Sequence, residues 1–438
     1  MHLTTRRAPA ALLAGAAAAI LVLCWGGVIA AGAAWTRAST LPGLGSGRIW
    51  SVASSPTTAG FIAAGTDKGV DVSTNGGSTW TATALNSVRV WTVGFDPRDA
   101  HKLFAGTDGN GVVLSTDGGG SWSTVSTGLT DGTVRSLAFG LDGLAAGTNH
   151  GVALSADGMT WHDGGLDQYS ISTLAVAANS PNLVLVAGID RGDTTNGYLF
   201  RFDSSTSTWQ ALQSGLPASA VVTSVSAGPL SSSVSKRPLV ATTSKGAFRS
   251  GDSGTTWTAS TGVPENLNLT TAVFSPLDPN LVYAGADAGG SNGGDLLRST
   301  DGGASFGVAD QGLPDKLRQV ESIAVEQVTP PVVIAALDPA AGGTIFTETD
   351  ATAPSPPALV SEAPGAPIPS TLATPAPTAR ASHAAVPTAS PGDGGGLGGI
   401  AGTVFHWPVP LVFEVLLALA IVYLLVRWRQ RYYVEGPP

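Results

Sequence analysis

The sequence predicts an all-β fold, specifically a seven-bladed β-propeller built from four-stranded blades. Glycine occurs 57 times and proline 29 times in 438 residues, which favours many short strands joined by turns. Charged residues make up only 12% of the chain, fewer than exposed helices require. A short turn motif then recurs with a period of about 39 to 49 residues, the spacing that is typical of propeller blades.

The recurring motif ends in an aromatic residue. Aligned on that residue, the copies are STNGGSTW (73–80), STDGGGSW (115–122), SADGMTW (155–161), FDSSTSTW (202–209), SGDSGTTW (250–257) and STDGGASF (299–306). Upstream of the copies, short apolar runs are separated by turn signals such as D-P and G-T-D. This pattern predicts four short strands per repeat.

Each motif predicts a hairpin turn that needs no ligand. The aspartate accepts hydrogen bonds from backbone N–H groups of the turn, glycine supplies a positive φ, and the aromatic ring packs into the blade. Asn75 replaces the aspartate in the first copy and Ser204 replaces it in the fourth, which suits a structural turn better than a catalyst. We therefore predict structural roles for Asp117, Trp122, Asp157, Trp161, Asp252, Trp257, Asp301 and Phe306.

These segments resemble the Asp-box, or BNR, repeats of sialidases, sortilin-type receptors, xyloglucanases and photosystem II assembly-factor propellers. The resemblance covers most of residues 35–350. It implies that the aspartates of the motif are structural and lie away from the face that binds ligands.

The predicted ring closes with its N-terminal strand. After the last motif, ESIAVEQ, PVVIAAL and GTIFTETD provide only three further strands. The missing strand is AWTRAST (34–40), which resembles TWTAST (256–261) directly after a motif. Pairing the two ends of the ring removes exposed sheet edges. It also takes the place of disulfides, because Cys24 is the single cysteine.

Segments of different composition flank the predicted propeller. Residues 1–34 place two arginines before an apolar run, the layout of a signal peptide or an N-terminal membrane anchor. Residues 351–403 are rich in Pro, Ala, Ser, Thr and Gly, which predicts a disordered stalk. Residues 404–426 predict a transmembrane helix, and residues 427–438 a short basic cytoplasmic tail.

We therefore expect a single-pass or two-pass protein of the cell membrane, with the propeller on the extracytoplasmic side. Glu414 is an acidic residue within the predicted span. It either snorkels to the outer boundary or contacts a partner helix. The sequence determines neither the cleavage of residues 1–34 nor the oligomeric state.

Charge and motif content exclude several classes of function. The formal net charge of -9 provides no basic field for phosphates, so no nucleic-acid partner is expected. The histidines have neither the spacing of metal ligands nor that of a catalytic triad. We predict no cofactor, no metal site and no catalytic residue.

Candidate ligand-binding residues follow from aligning the seven predicted first strands, which line the channel of a propeller. The residues just before the aligned motifs are Trp50, Trp91, Arg135, Ser172, Thr223, Thr270 and Glu321. Aromatic and charged residues gather in blades seven, one, two and three, and Arg48 and Arg89 stand two positions earlier in blades one and two. The predicted pocket, where tryptophans stack on a sugar or peptide and arginines pair with carboxylates, comprises Arg48, Trp50, Arg89, Trp91, Arg135 and Glu321.

The alternative interpretation is structural, with tryptophans packed between blades and arginines bonded to carbonyl groups at the channel rim. Asp67 and Asp108 follow predicted strands on the same face and are interpreted first as turn residues.

Two functions stay open. The first is a non-enzymatic, membrane-tethered extracytoplasmic propeller that binds a protein, a peptide or a cell-surface glycan; the resemblance adds a scaffold or assembly role by analogy of fold. The alternative is a sialidase-like or xyloglucanase-like glycoside hydrolase, which needs two carboxyl groups across a sugar site. Glu321 is the only carboxylate in the aligned ring, so the sequence favours the binding protein.

Overall fold

The computed structural model describes residues 35–38, 41–42, 47–140, 143–178, 184–193, 197–212, 214–217, 220–264, 267–287, 296–313, 319–337 and 343–360. They belong to one compact unit, Met1–Thr378. The predicted signal or anchor, the predicted membrane span and the tail lie outside the described residues, as does the stalk beyond residue 360. Within the described part, no helix is long and apolar enough to cross a membrane.

The described residues form seven four-stranded sheets, which are the blades of the predicted propeller. The strands are β1 Thr36–Arg37, β2 Ile49–Ser54, β3 Ile62–Thr66, β4 Gly69–Ser73, β5 Thr81–Ala82, β6 Val90–Asp96, β7 Asp99–Thr107, β8 Val112–Ser115, β9 Ser123–Thr124, β10 Val134–Gly140, β11 Gly143–Thr148, β12 Gly151–Ser155, β13 His162–Asp163, β14 Ile171–Ala178, β15 Val184–Asp193, β16 Gly197–Asp203, β17 Thr208–Leu212, β18 Val222–Ala227, β19 Leu239–Thr243, β20 Gly246–Ser250, β21 Thr258–Ala259, β22 Asn268–Ser275, β23 Asp278–Asp287, β24 Leu296–Ser299, β25 Gly307–Val308, β26 Val320–Val325, β27 Val332–Leu337 and β28 Thr344–Thr349.

Blades one to six each use four consecutive strands, from β2–β5 to β22–β25. Blade seven has the order β1-β28-β27-β26. β1 lies antiparallel to β28, with Thr36 opposite Thr347 and Arg37 opposite Phe346. The predicted closure of the ring by the N-terminal strand is therefore confirmed, and the buried ring of Trp35 packs into the core at blade seven.

The hydrophobic core lies between neighbouring blades. The second strand of blade three, β11, is buried along its whole length because its sheet is covered on both faces. Phe104 of blade two and Leu144 of blade three belong to one buried cluster together with Trp161. Trp161 Nε1 donates to Val125 O in the preceding blade at 2.7 Å. The aromatic residue of the motif therefore fastens one blade to the next.

The aspartate motifs form hydrogen-bonded turns at the ends of third strands. Asp252 Oδ1 accepts bonds from Thr256 N at 2.9 Å and from Ser250 Oγ at 2.7 Å. Asp301 makes the corresponding contacts with Ser305 N and Ser299 Oγ. Side-chain and backbone hydrogen bonds from Ser121, followed by the bond from Ser115, lower the pKa of Asp117 to about 2.

The fourth copy of the motif keeps the register of the sequence alignment, with Phe202 at the serine position and Ser204 at the aspartate position, but another residue accepts the turn bonds. Asp203, rather than the aligned Ser204, accepts bonds from Ser205 N at 2.9 Å and from Ser205 Oγ at 2.6 Å. The reason is a tighter hairpin: β16 and β17 pair up to Asp203 and Thr208, and Ser207 takes a positive φ of 51°. The acidic residue therefore sits one position earlier in the chain.

The motif turns and the candidate binding residues lie at opposite ends of the first strands. In blade one, Gly76 N of the motif donates to Gly60 O in the turn between β2 and β3. In blade two, Gly118 N of the motif donates to His101 O at the start of the second strand. We call this end the box face. The other end, called the entry face, carries the starts of the first strands and the turns between second and third strands, where Asp67 N donates to Arg48 O.

Candidate functional site

A β-bulge recurs at the same position in the first strand of each blade. In blade one, for example, the pairing with the second strand skips a residue between Ile49 and Ser51. A bulge leaves its extra residue outside the ladder and re-aims that side chain. The residues skipped around the ring are Trp50, Trp91, Arg135, Ser172, Thr223, Thr270 and Glu321.

The bulged residues divide the ring into two arcs. In blades four, five and six they are hydroxyl residues that bond to nearby backbone. Ser172 Oγ donates to Gly188 O at 3.3 Å, and Thr223 Oγ1 donates to Leu269 O at 2.8 Å. We call these blades the hydroxyl arc. In blades seven, one, two and three the same position holds charged or aromatic side chains, and we call these blades the charged arc.

The charged arc brings together the arginine–tryptophan cluster, which we define as Arg48, Trp50, Arg89, Trp91 and Arg135. The two indole rings lie 4.5 Å apart between centroids with an interplanar angle of 58°. The guanidinium carbon of Arg48 lies 4.6 Å from the Trp50 ring, and that of Arg135 lies 5.4 Å from the Trp91 ring. Arg89 lies within cation–π range of both rings, at 5.5 Å and 5.0 Å.

Asp67 connects the members of this cluster. Its Oδ2 accepts a bond from Arg48 N at 2.9 Å, and its Oδ1 accepts bonds from Trp50 Nε1 at 2.8 Å and Arg89 Nε at 2.9 Å. Partial burial acts to raise the pKa of Asp67, but the hydrogen bonds from Arg48, Trp50 and Arg89 outweigh it and lower the pKa. Asp67 is therefore an ionised anchor for two arginine positions and one tryptophan.

Further polar contacts border the cluster. Arg48 forms an ion pair with Glu321, whose other oxygen accepts a bond from Gln319 Nε2 at 3.2 Å. Arg135 Nε donates to Asn149 Oδ1 at 2.8 Å. The side chains of Arg48 and Arg89 are 37% and 40% exposed. Both arginine side chains are thus held by contacts with the protein and remain partly exposed to solvent.

The structure places all six residues of the predicted pocket on this arc, but it gives the tryptophans a different surrounding from the open stacking surface that the sequence suggested. Trp50 has two guanidinium groups and the second indole ring within 5.5 Å. Trp91 Nε1 is buried and has no hydrogen-bond partner among the described residues. The tryptophans therefore support the arginines more than they offer free ring faces.

Sequence reasoning assigned Asp67 to turn formation and missed its contacts with the cluster. A signal was present: AGTD (64–67), AGTD (105–108) and AGTN (146–149) end in side chains that bond to arginines of the cluster. Within the described ranges, no group of three or more His, Cys, Asp or Glu side chains is arranged to hold a metal ion.

The fold and this site stand beside several solved structures. YCF48 from Cyanidioschyzon merolae is 16% identical with a TM-score of 0.51, and the match covers 72% of this chain and 98% of YCF48. YCF48 bound to D1 peptide is 15% identical with a TM-score of 0.52, covering 72% and 96%. The extracellular domain of BT4673 from B. thetaiotaomicron is 13% identical with a TM-score of 0.52, covering 72% of this chain and 40% of that one.

At these identities the likeness shows the seven-bladed fold alone. A GH74 xyloglucanase from Xanthomonas campestris also matches, at 15% identity, but its TM-score of 0.46 supports no argument about this chain. No family model and no curated protein sequence matches. The resemblance to Asp-box repeats therefore rests on the motifs themselves.

Proposed function

We propose that this chain is a non-enzymatic propeller that binds an acidic segment of a protein or peptide on its entry face. The observation that carries the proposal is the division of the bulge ring. The same backbone feature presents locally bonded hydroxyls on the hydroxyl arc and the arginine–tryptophan cluster on the charged arc. A purely structural bulge would not require this difference in chemistry between the arcs.

The cluster suits a carboxylate better than a sugar. Stacking of a sugar requires an open aromatic face, whereas Trp50 is already surrounded by Arg48, Arg89 and Trp91. The guanidinium groups of Arg48 and Arg89 are partly exposed, and a guanidinium binds a carboxylate through two parallel hydrogen bonds. Among the proteins of similar fold, YCF48 is known bound to a D1 peptide, which supports a peptide ligand here.

The carboxylates that contact the arginine–tryptophan cluster argue against glycoside hydrolysis at this site. That reaction needs one carboxyl group that stays protonated until it donates to the leaving group. Hydrogen bonds from three groups lower the pKa of Asp67, so this residue is a poor proton donor. Glu321 is committed to an ion pair with Arg48. These two carboxylates position arginines, and the cluster supports recognition.

The proposal includes the location inferred from the sequence. We infer that residues 404–426 tether the propeller to the cell membrane with its entry face in the extracytoplasmic space, in a scaffold or assembly role. Protease added to intact cells tests this. It should degrade the propeller but spare an epitope placed after residue 438, and an equally spared propeller would contradict the inference.

The binding proposal is tested with a screen of acidic and neutral peptides, cell-surface glycans and peptidoglycan on the purified protein, with product analysis on every hit. We expect acidic peptides to bind and Arg89→Gln to weaken them about tenfold, the loss expected for one charge-assisted hydrogen bond. Arg249→Gln is the matched control, because Arg249 is an arginine of the box face whose side chain contacts Asp301 O at 3.5 Å.

Binding that is equally strong in the Arg89 and Arg249 variants would contradict the proposed site. Sugar released from any glycan would replace the proposal with the hydrolase alternative.

A further inference from the structure

The chain leaves the propeller through a segment that is fixed at both ends. This exit strap, residues 350–360, follows β28 of blade seven and reaches the loop between β18 and β19 of blade five. There Ser232 N donates to Ala358 O at 3.0 Å and Val360 N donates to Leu230 O at 3.2 Å. Since that loop joins a first strand to a second strand, the strap docks on the box face, away from the arginine–tryptophan cluster.

The first fixed point is Asp350, which is only 8% exposed. Its Oδ2 accepts bonds from Tyr283 Oη at 2.5 Å and from Arg298 Nε at 2.7 Å, both in blade six. Its Oδ1 accepts bonds from Thr352 N at 3.1 Å and Thr352 Oγ1 at 2.8 Å, within the strap. A single buried carboxylate thus joins the strap to the neighbouring blade.

The strand register explains why two carboxyl groups meet here. Glu348 lies opposite Val333 in blade seven, as Ser299 lies opposite Val282 in blade six. Glu348 therefore holds the position of the serine of the aspartate motif, and Asp350 holds the position of its aspartate. In the four motifs that contain both residues the serine donates to the aspartate, whereas Glu348 adds a second acid beside Asp350.

Glu348, Asp350, Tyr283 and Arg298 line one cavity of about 270 Å³ between blade six and the strap. The remaining lining residues of this cavity are uncharged, so Asp350, Tyr283 and Arg298 are the ionisable groups that share it with Glu348. Burial and the charge of Asp350 raise the pKa of Glu348 to about 7, against a smaller opposing effect of Arg298. Burial and the bond to Asp350 also raise the pKa of Tyr283, so the phenol stays protonated at neutral pH.

We propose that the exit strap is a pH-sensitive latch, docked on blades five and six while Glu348 is protonated and released as Glu348 ionises. Ionisation sets two carboxylates against the single guanidinium of Arg298. Opening returns Glu348 to water, where its charge is better solvated. The docked state therefore binds the extra proton. The free energy that favours docking over release is at its full value below the solvent pKa of Glu and is lost as pH rises through about 7.

Hydrogen exchange on the full-length protein tests the latch. The probes are the amides of Thr352 and Val360, and their protection factors are corrected for the intrinsic pH dependence of exchange. We expect protection at both amides to fall about tenfold between pH 5.5 and pH 8. This is less than the whole shift in the pKa of Glu348 would give, because solvent screens the charge of a side chain that is only half-buried. Thr256 N is the internal control, because it bonds to Asp252, whose pKa is lowered.

Two variants complete the test. Glu348→Gln should keep the strap protected at both pH values, because no second charge develops. Asp350→Asn should lower protection at both pH values, because it weakens the bonds from Arg298 and Tyr283. Protection at Thr352 and Val360 that is constant from pH 5.5 to pH 8, or that still falls with pH in Glu348→Gln, would overturn the proposal.

Discussion

Replacing Asp67 by asparagine should destabilise the fold and loosen the arginine–tryptophan cluster. The introduced side chain retains one oxygen for Trp50 Nε1 and Arg89 Nε, but its amide nitrogen then faces Arg48 N, so two donors oppose each other. Hydrogen bonds to charged groups contribute about 1.5 to 3 kcal/mol each. Since the Asp67 side chain is 25% exposed, we expect a net loss of about 2 kcal/mol in the free energy of unfolding.

Thermal unfolding followed by circular dichroism measures this effect. A loss of about 2 kcal/mol lowers the Tm of a domain of this size by about 4 °C at pH 7. Asp108→Asn is the matched control: its carboxylate is 43% exposed and lies 3.5 Å from Arg89 Nη1, so we expect less than about 0.5 kcal/mol.

The pH dependence gives a second test of the same substitution. The pKa of Asp67 is lowered in the folded state, so its stabilisation is present above the unfolded pKa and is lost as pH falls through the folded value. The difference in Tm between wild type and Asp67→Asn should therefore shrink near pH 3. Equal Tm values at pH 7, or an undiminished difference at pH 3, would refute the role of Asp67 as an ionised anchor.

Two further pairs of substitutions test the fold. Gly128→Ala should cost more than about 2 kcal/mol, because a Cβ would lie 2.1 Å from Trp161 O, whereas Gly246→Ala, which also has a positive φ but nothing within 4 Å, should cost about 1 kcal/mol; equal Tm values would contradict this steric account. Asp203→Ala should lower the free energy of unfolding by about 1 kcal/mol and Ser204→Ala by less than about 0.5 kcal/mol, because Asp203 accepts the turn bonds; the reverse order in urea unfolding would contradict the role of Asp203 in this turn.

Much of the fold follows from the sequence because the motif repeats. Each copy fixes the end of a third strand, and alternation of apolar runs then places the other strands. The likeness between AWTRAST and TWTAST was enough to identify β1. The alignment of the fourth copy was correct in register, but the sequence did not show that Asp203 rather than Ser204 accepts the turn bonds, because that depends on the pairing of β16 with β17.

The candidate site was predictable in its membership but not in its contacts. Aligning the first strands selected the bulged positions, although nothing in the sequence shows a bulge. The ion pair between Arg48 and Glu321 joins residues 273 positions apart and exists only because the ring closes. The role of Asp350 was hidden for the same reason, since Tyr283 and Arg298 belong to another blade.

The central claim is that the charged arc binds the ligand and the hydroxyl arc does not. The most direct measurement compares Trp91→Leu with Thr223→Val by calorimetric titration of the tightest acidic peptide from the screen, because both residues occupy the same bulge on opposite arcs. Circular dichroism would first establish that both variants are folded. The account predicts that Kd rises at least about tenfold for Trp91→Leu and stays unchanged for Thr223→Val. An unchanged Kd for Trp91→Leu, or an equal loss in both variants, would contradict it.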